Sequence, residues 1–113
     1  MRTIVNNAYS TKMIQQDGLS VAHKIITEEE FLEQAHSDES ICVIGHPDTA
    51  KLFGVEENRQ TIVLEEGDVL FVAELNNSTG TRLPVGITQL EEIPDGFHFR
   101  FLKLKVFKTP FEF

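Results

Sequence analysis

Cysteine is almost missing from this chain: Cys42 is the single one in 113 residues. An intrachain disulfide is therefore excluded, and a thiolate metal site is disfavoured. Cys42 stands inside the apolar run Ile41-Cys42-Val43-Ile44, where a buried, inert thiol is expected, because reactivity needs exposure and a lowered pKa. Long apolar stretches are also missing. None approaches the roughly 20 residues of a membrane-crossing helix, and the N-terminus lacks the apolar core and cleavage site of a signal peptide, so the expectation is a cytoplasmic protein. Basic residues are scarce, with 10 Lys and Arg against 18 Asp and Glu and a formal net charge of −8. That balance argues against a broad surface for duplex nucleic acid, which relies on many Lys and Arg contacts to phosphate. It leaves room for a small anion, since exposed charges beyond the roughly 8 Å Debye length are screened and a pocket with a few arginines stays locally positive. Internal repeats are absent, and the only polar cluster, Asn76 to Thr81, reads as a loop.

What is present fits one α/β domain spanning residues 1–113, with 41% hydrophobic and 25% charged residues. Thr3-Ile4-Val5 reads as a short strand. Ser10 can cap a brief helix over Thr11 to Gln15, ended by Asp17-Gly18. A weakly patterned strand lies within Leu19 to Ile26, and Thr27-Glu28-Glu29-Glu30 is a capping box that starts a helix with Phe31, Leu32 and Ala35 on one side. The strand Ile41 to Ile44 leads into a helix with Pro47 at its first position and Gly54 after its last turn. Thr61 to Leu64 and Val69 to Ala73 flank Glu65-Glu66-Gly67-Asp68 and read as a hairpin, its second strand central because it is apolar on both faces. A helical turn is expected within Thr88 to Glu92. The last strand runs from Phe97 to about Phe107, and a change of apolar phase predicts a bulge or twist near Phe101. The sum is a mixed, about five-stranded β-sheet flanked by short helices.

The candidate chemistry gathers at Gly45-His46-Pro47-Asp48-Thr49. A strand that stops at Gly45-His46 and turns into a helix leaves an imidazole beside a helix N-terminus, where free N–H groups favour an anion such as phosphate. Taken alone, His46 reads equally as a loop histidine without a chemical role, because acid or base work needs partners. Arg59 and Arg82 each carry the planar donor fork that suits phosphate, and each is equally a solvated surface arginine. Asn7 and Ser10 flank a second strand-to-helix turn. If the two strands are neighbours, both turns meet at one edge of the sheet. His23 and His36 sit in polar surroundings, and His98 is expected on the outer face of the last strand. None pairs with Cys, Asp or Glu at a metal-ligand spacing, and no metal or cofactor is expected. Lys103, Lys105 and Lys108 form a basic stripe best explained as protection of an edge strand. Phe107, Phe111 and Phe113 would cover the core or pack against a second subunit.

In order and spacing, Asn7-Ala8-Tyr9-Ser10 with Met13, Ile44-Gly45-His46 with Thr49, Asn58-Arg59 before a strand, and Arg82-Leu83-Pro84 with Gly86 resemble the viral ring nucleases. These are small anti-CRISPR proteins of archaeal viruses and phages, with bacterial chromosomal relatives. The resemblance covers nearly the whole chain. It implies a homodimer that binds cyclic tetra-adenylate across its two-fold axis and cleaves it without a metal, through attack of a ribose 2′-hydroxyl on the adjacent phosphate. By the same resemblance His46 and Arg82 would be catalytic, and Asn7, Ser10, Gly45 and Arg59 would hold the ligand. Many relatives carry a glutamate after the Arg-Leu-Pro segment. Here that position is Val85, which cannot exchange a proton, so that turnover would rest on His46. A binding protein that sequesters the ring without turnover, or a phage or host module for protein contacts, are the alternative functions.

Overall fold

The computed structural model describes residues 1–77 and 83–112. Five strands form one mixed sheet: β1 (Thr3–Asn6), β2 (Leu19–Ile26), β3 (Ser40–Cys42), β4 (Val69–Asn77) and β5 (Phe97–Lys108). Their spatial order is β2-β5-β4-β1-β3. β1 runs parallel to β3 on one side and to β4 on the other, while β5 is antiparallel to β4 and β2. The helices are α1 (Glu28–Ala35) and α2 (Pro47–Leu52), with 3-10 turns at Thr11–Met13 and Leu90–Glu92.

Local chemistry explains the helix ends. Thr27 accepts from the Glu30 amide at 3.1 Å while the Glu30 carboxylate reaches back to the Thr27 amide at 3.4 Å, the reciprocal pair that satisfies two otherwise orphaned donors. Gly54, after α2, has φ +67, a left-handed turn that residues with a Cβ resist. Both α-helices lie on one face of the sheet. Phe31 of α1 packs edge-on against Phe53 at 5.1 Å and lies 5.2 Å from Phe101 of β5, all three buried. Burial of such large rings is the main force holding α2 over the strands.

Among the described residues the opposite face has no α-helix. Ile4, Leu70, Leu102, Leu104 and Val106 are covered there by Ile62 and Leu64 together with Tyr9, Met13 and Ile14. Phe101 and Leu102 are thus successive residues serving two separate cores. That is why the apolar phase changes at Phe101, and of the bulge or twist expected there no bulge forms: β5 keeps an unbroken register against β4 on both sides of Phe101 and against β2 from Phe101 to Lys108.

The hairpin expected between Thr61–Leu64 and β4 does not form. β4 is bonded to β5 on one side and β1 on the other, so no ladder remains for a further strand. The turn at Gly67 pairs with β5 instead, through Gly67 N to Val106 O and Val106 N to Asp68 O. Arg2 ties the irregular segment down. Its guanidinium donates to both oxygens of the buried Asp68 carboxylate, at 3.0 and 2.6 Å, and to the Val63 carbonyl at 2.9 Å. Two smaller corrections follow. Asn76 and Asn77 belong to β4 rather than to a loop, and the apolar run in which a buried Cys42 is expected leaves Ile41 exposed and Cys42 half-buried. Phe107 and Phe111 are 40% and 62% exposed, and Phe113 lies outside the described residues. No helix among the described residues is long and apolar enough to cross a membrane.

Candidate functional site

Because β1 and β3 are adjacent and parallel, with Val5 opposite Cys42, their chains leave the sheet side by side. Asn7 follows the end of β1; Val43, Ile44 and Gly45 carry the chain from β3 to His46. β4 runs the same way and brings Leu75 to this end. Here the sheet, α2 and the segment after residue 82 enclose an open depression of about 390 Å³, lined by Asn7, His46, Thr49, Leu75, Pro84 and Val85 among others. Ligand sites of open α/β sheets sit at such carboxyl ends.

His46 caps α2. Its backbone is extended, as Pro47 at the next position favours, and its Nδ1 accepts a long hydrogen bond of 3.5 Å from the Thr49 amide. An accepting Nδ1 places the proton of the neutral ring on Nε2, leaving that N–H as the available donor. This alters the expected chemistry of the turn. Pro47 has no N–H, the Thr49 N–H is given to His46, and α2 is only 6 residues long. What the turn offers a ligand is first of all the imidazole.

Two tethers shape the surroundings. Asp48 Oδ2 accepts from the Gly86 amide at 2.9 Å, fastening the 83–87 segment to α2 while Leu83 and Ile87 pack against the helix-side core. Gly86 has φ +92, which favours glycine there. On the other side Asn58 donates from Nδ2 to the Cys42 carbonyl and from its amide to the Ile44 carbonyl, each at 2.9 Å, which lays residues 58–59 along the exit of β3. A Cβ at Gly45 would stand 3.2 Å from Arg59 Cα, so this close approach favours glycine.

Of the residues singled out by sequence, the structure brings Asn7 and His46 together in one depression. Gly45 adjoins His46, and Arg59 packs on Gly45 but is exposed and does not line the depression. Ser10 is also outside it. Its hydroxyl accepts from the Lys12 amide at 3.2 Å and caps a 3-10 turn of three residues, shorter than the helix expected to Gln15. Arg82 lies outside the described residues. Asp48 is the addition in role: an Asp in the first turn of a helix reads as a complement to the helix dipole, and nothing local signals a bond to Gly86, 38 residues on. Among the described residues no three His, Cys, Asp or Glu side chains converge as a metal ion would require.

No curated protein matches the chain in sequence. Among solved structures, B116 of Sulfolobus turreted icosahedral virus (STIV) superposes with a TM-score of 0.73, covering 93% of this chain and 99% of that one at 21% identity. The likeness is one of fold. A family model matches the sequence itself over residues 3–101, from the first residue of β1 through the turns at Asn7 and His46 into β5; by that match the chain belongs to the STIV B116-like family.

Proposed function

We propose that this protein is a metal-independent ring nuclease that binds and cleaves cyclic tetra-adenylate, countering or switching off type III CRISPR signalling. The observation that carries the reading is the meeting of Asn7 and His46 in one depression bordered by residues 83–85, three of the four sequence segments that resemble the ring nucleases. In the proposed reaction a ribose 2′-hydroxyl attacks the neighbouring phosphorus, its proton passing to solvent. The imidazolium form of His46 gives its Nε2 proton to the departing 5′ oxygen and returns to the neutral ring, and a 2′,3′-cyclic phosphate remains. Positioned acid catalysis of this kind is worth about 10²- to 10⁴-fold. Arg82 would offset charge on the phosphate, while Asn7 would orient it.

Size bears on the assembly. A depression of about 390 Å³ is at the small end of the range for a drug-sized ligand and too small for a four-nucleotide ring. The proposal therefore includes a homodimer whose two depressions face one ring across a two-fold axis, with Ser10, Gly45 and Arg59 reaching it from the rim. A second reading, capture without turnover, is favoured by Val85, which is 96% exposed at the mouth and offers no proton. Radiolabelled cyclic tetra-adenylate incubated with excess protein in chelator separates them. Linear product that disappears in His46→Ala supports the nuclease; tight binding without product supports capture. Absence of binding at micromolar protein removes both and leaves a role in protein contacts.

A further inference from the structure

Three lysines stand apart from the acidic balance of the chain. In the β2–β5 ladder Lys24 lies directly opposite Lys103, and Lys105 follows two residues along, opposite Ala22. Strand alternation puts all three on the face that carries α1 and α2, next to the buried Phe101 but beyond the helical cover: Lys24 and Lys105 are exposed and Lys103 is half-buried. Like charges directly opposite each other destabilise a sheet. Among the described residues none of the three has a carboxylate within 4.0 Å, although the chain holds 18 acidic residues; the Lys103 ammonium sits 5.7 Å from the centre of the Phe71 ring instead. Edge protection does not explain Lys103 and Lys105, because β5 is the second strand of five and both of its ladders are filled.

The lysines border a depression of about 290 Å³ with Ala22 between them. We propose that it is an anion site for a ligand with two or more adjacent phosphoryl groups, such as inorganic tripolyphosphate or the triphosphate chain of a nucleotide. Three cations spread over about 5–7 Å of sheet surface exceed what one phosphate can face, and the depression is sized for a small molecule rather than a polymer. The site is separate from that at His46. Lys103 and Lys105 pair with Phe71 and Val69 at the start of β4, whereas Leu75, near its other end, lines the depression with His46.

Titration calorimetry of the whole chain at low ionic strength, first with tripolyphosphate and then with ATP, tests this. The expected result is saturable binding that weakens with added salt. Binding should weaken about five- to twentyfold in the double variant Lys24→Gln/Lys103→Gln, as loss of two exposed ion pairs predicts. Equal affinity for the two ligands assigns recognition to the phosphate chain, and a preference for ATP assigns the site to a nucleotide. In the absence of anion the double variant should melt no lower than the parent, because a repulsion has been removed; a lower melting temperature would make the lysines structural and overturn the proposal. So would an absence of tripolyphosphate binding, binding indifferent to the double variant, or tighter binding of a single-stranded oligonucleotide through the same lysines.

Discussion

The bond from the Gly86 amide to Asp48 makes a prediction that does not depend on any substrate. Removing the acceptor with Asp48→Ala should loosen the 83–87 segment, which carries Val85 to the mouth of the His46 depression. A hydrogen bond to a charged group is worth about 1.5–3 kcal/mol net when shielded. This one is exposed, and Leu83 and Ile87 still hold the segment on the core, so the value is discounted to about 1 kcal/mol, roughly a fivefold change in the open population. Amide hydrogen exchange read by NMR measures it: Gly86 should exchange about fivefold faster in Asp48→Ala, with Asp48→Asn, which keeps an acceptor oxygen, in between. The Ala50 amide, bonded to the His46 carbonyl at 2.9 Å inside α2, is the control and should stay protected. Equal exchange at Gly86 in parent and variant would refute the tether. Faster exchange at both amides would mean that Asp48 acts by supporting α2.

Breaking the buried charge pair with Asp68→Asn should cost about 2–3 kcal/mol in urea unfolding at neutral pH, less than a fully buried pair because Arg2 is a third exposed. Burial pushes the Asp68 carboxyl upward, but hydrogen bonds from Arg2 and the Glu65 amide, with the Arg2 charge, outweigh it and hold the pKa below the ordinary value. The unfolded chain then takes up the proton first, so this stability is complete above about pH 4 and lost as pH falls through the lower folded value; parent and variant should converge in acid. Gly45→Ala should destabilise the fold by about 1 kcal/mol, since its Cβ must displace the Arg59 backbone, and an unchanged urea midpoint would show that residues 58–59 yield freely. Val85→Glu should leave stability within about 0.5 kcal/mol, the side chain being almost fully exposed. It should raise single-turnover cleavage of cyclic tetra-adenylate by up to about 10²-fold; an unchanged rate would remove this position from the chemistry.

Features set by neighbouring residues were legible in the sequence. The capping box at Thr27, the start of α2 at Pro47 and its stop at Gly54 are all determined within one turn of helix, and each forms where the residue types demand. The convergence of Asn7 and His46 was legible only conditionally, because it required β1 and β3 to be neighbours. Thr61 to Leu64 failed for the complementary reason. Its alternation is that of a half-buried strand, and Ile62 and Leu64 do face a core, but whether a segment joins a ladder depends on which edges distant strands have already taken. The lysines of β5 were misread in the same way: edge or interior is a property of the sheet, and nothing in Lys103-Leu104-Lys105 records it.

The placing of β1 between β3 and β4 also sets the order in which the protein can fold. Arg2 and Asp68 are joined across 66 residues, and Ser20 and Thr109 across 89. β1 therefore waits for β4 on one of its edges, and β2 waits for β5, so on a ribosome both strands emerge long before these partners. The pair with the shortest separation, β4 with β5, is also the last to be made, and it offers an open edge to each of the earlier strands. Closing such distant contacts is slow, on the order of milliseconds to seconds for sheet-rich domains. Refolding should accordingly begin at β4–β5, and substitutions in Leu70 or Leu104 should slow it more than equally destabilising ones in β3.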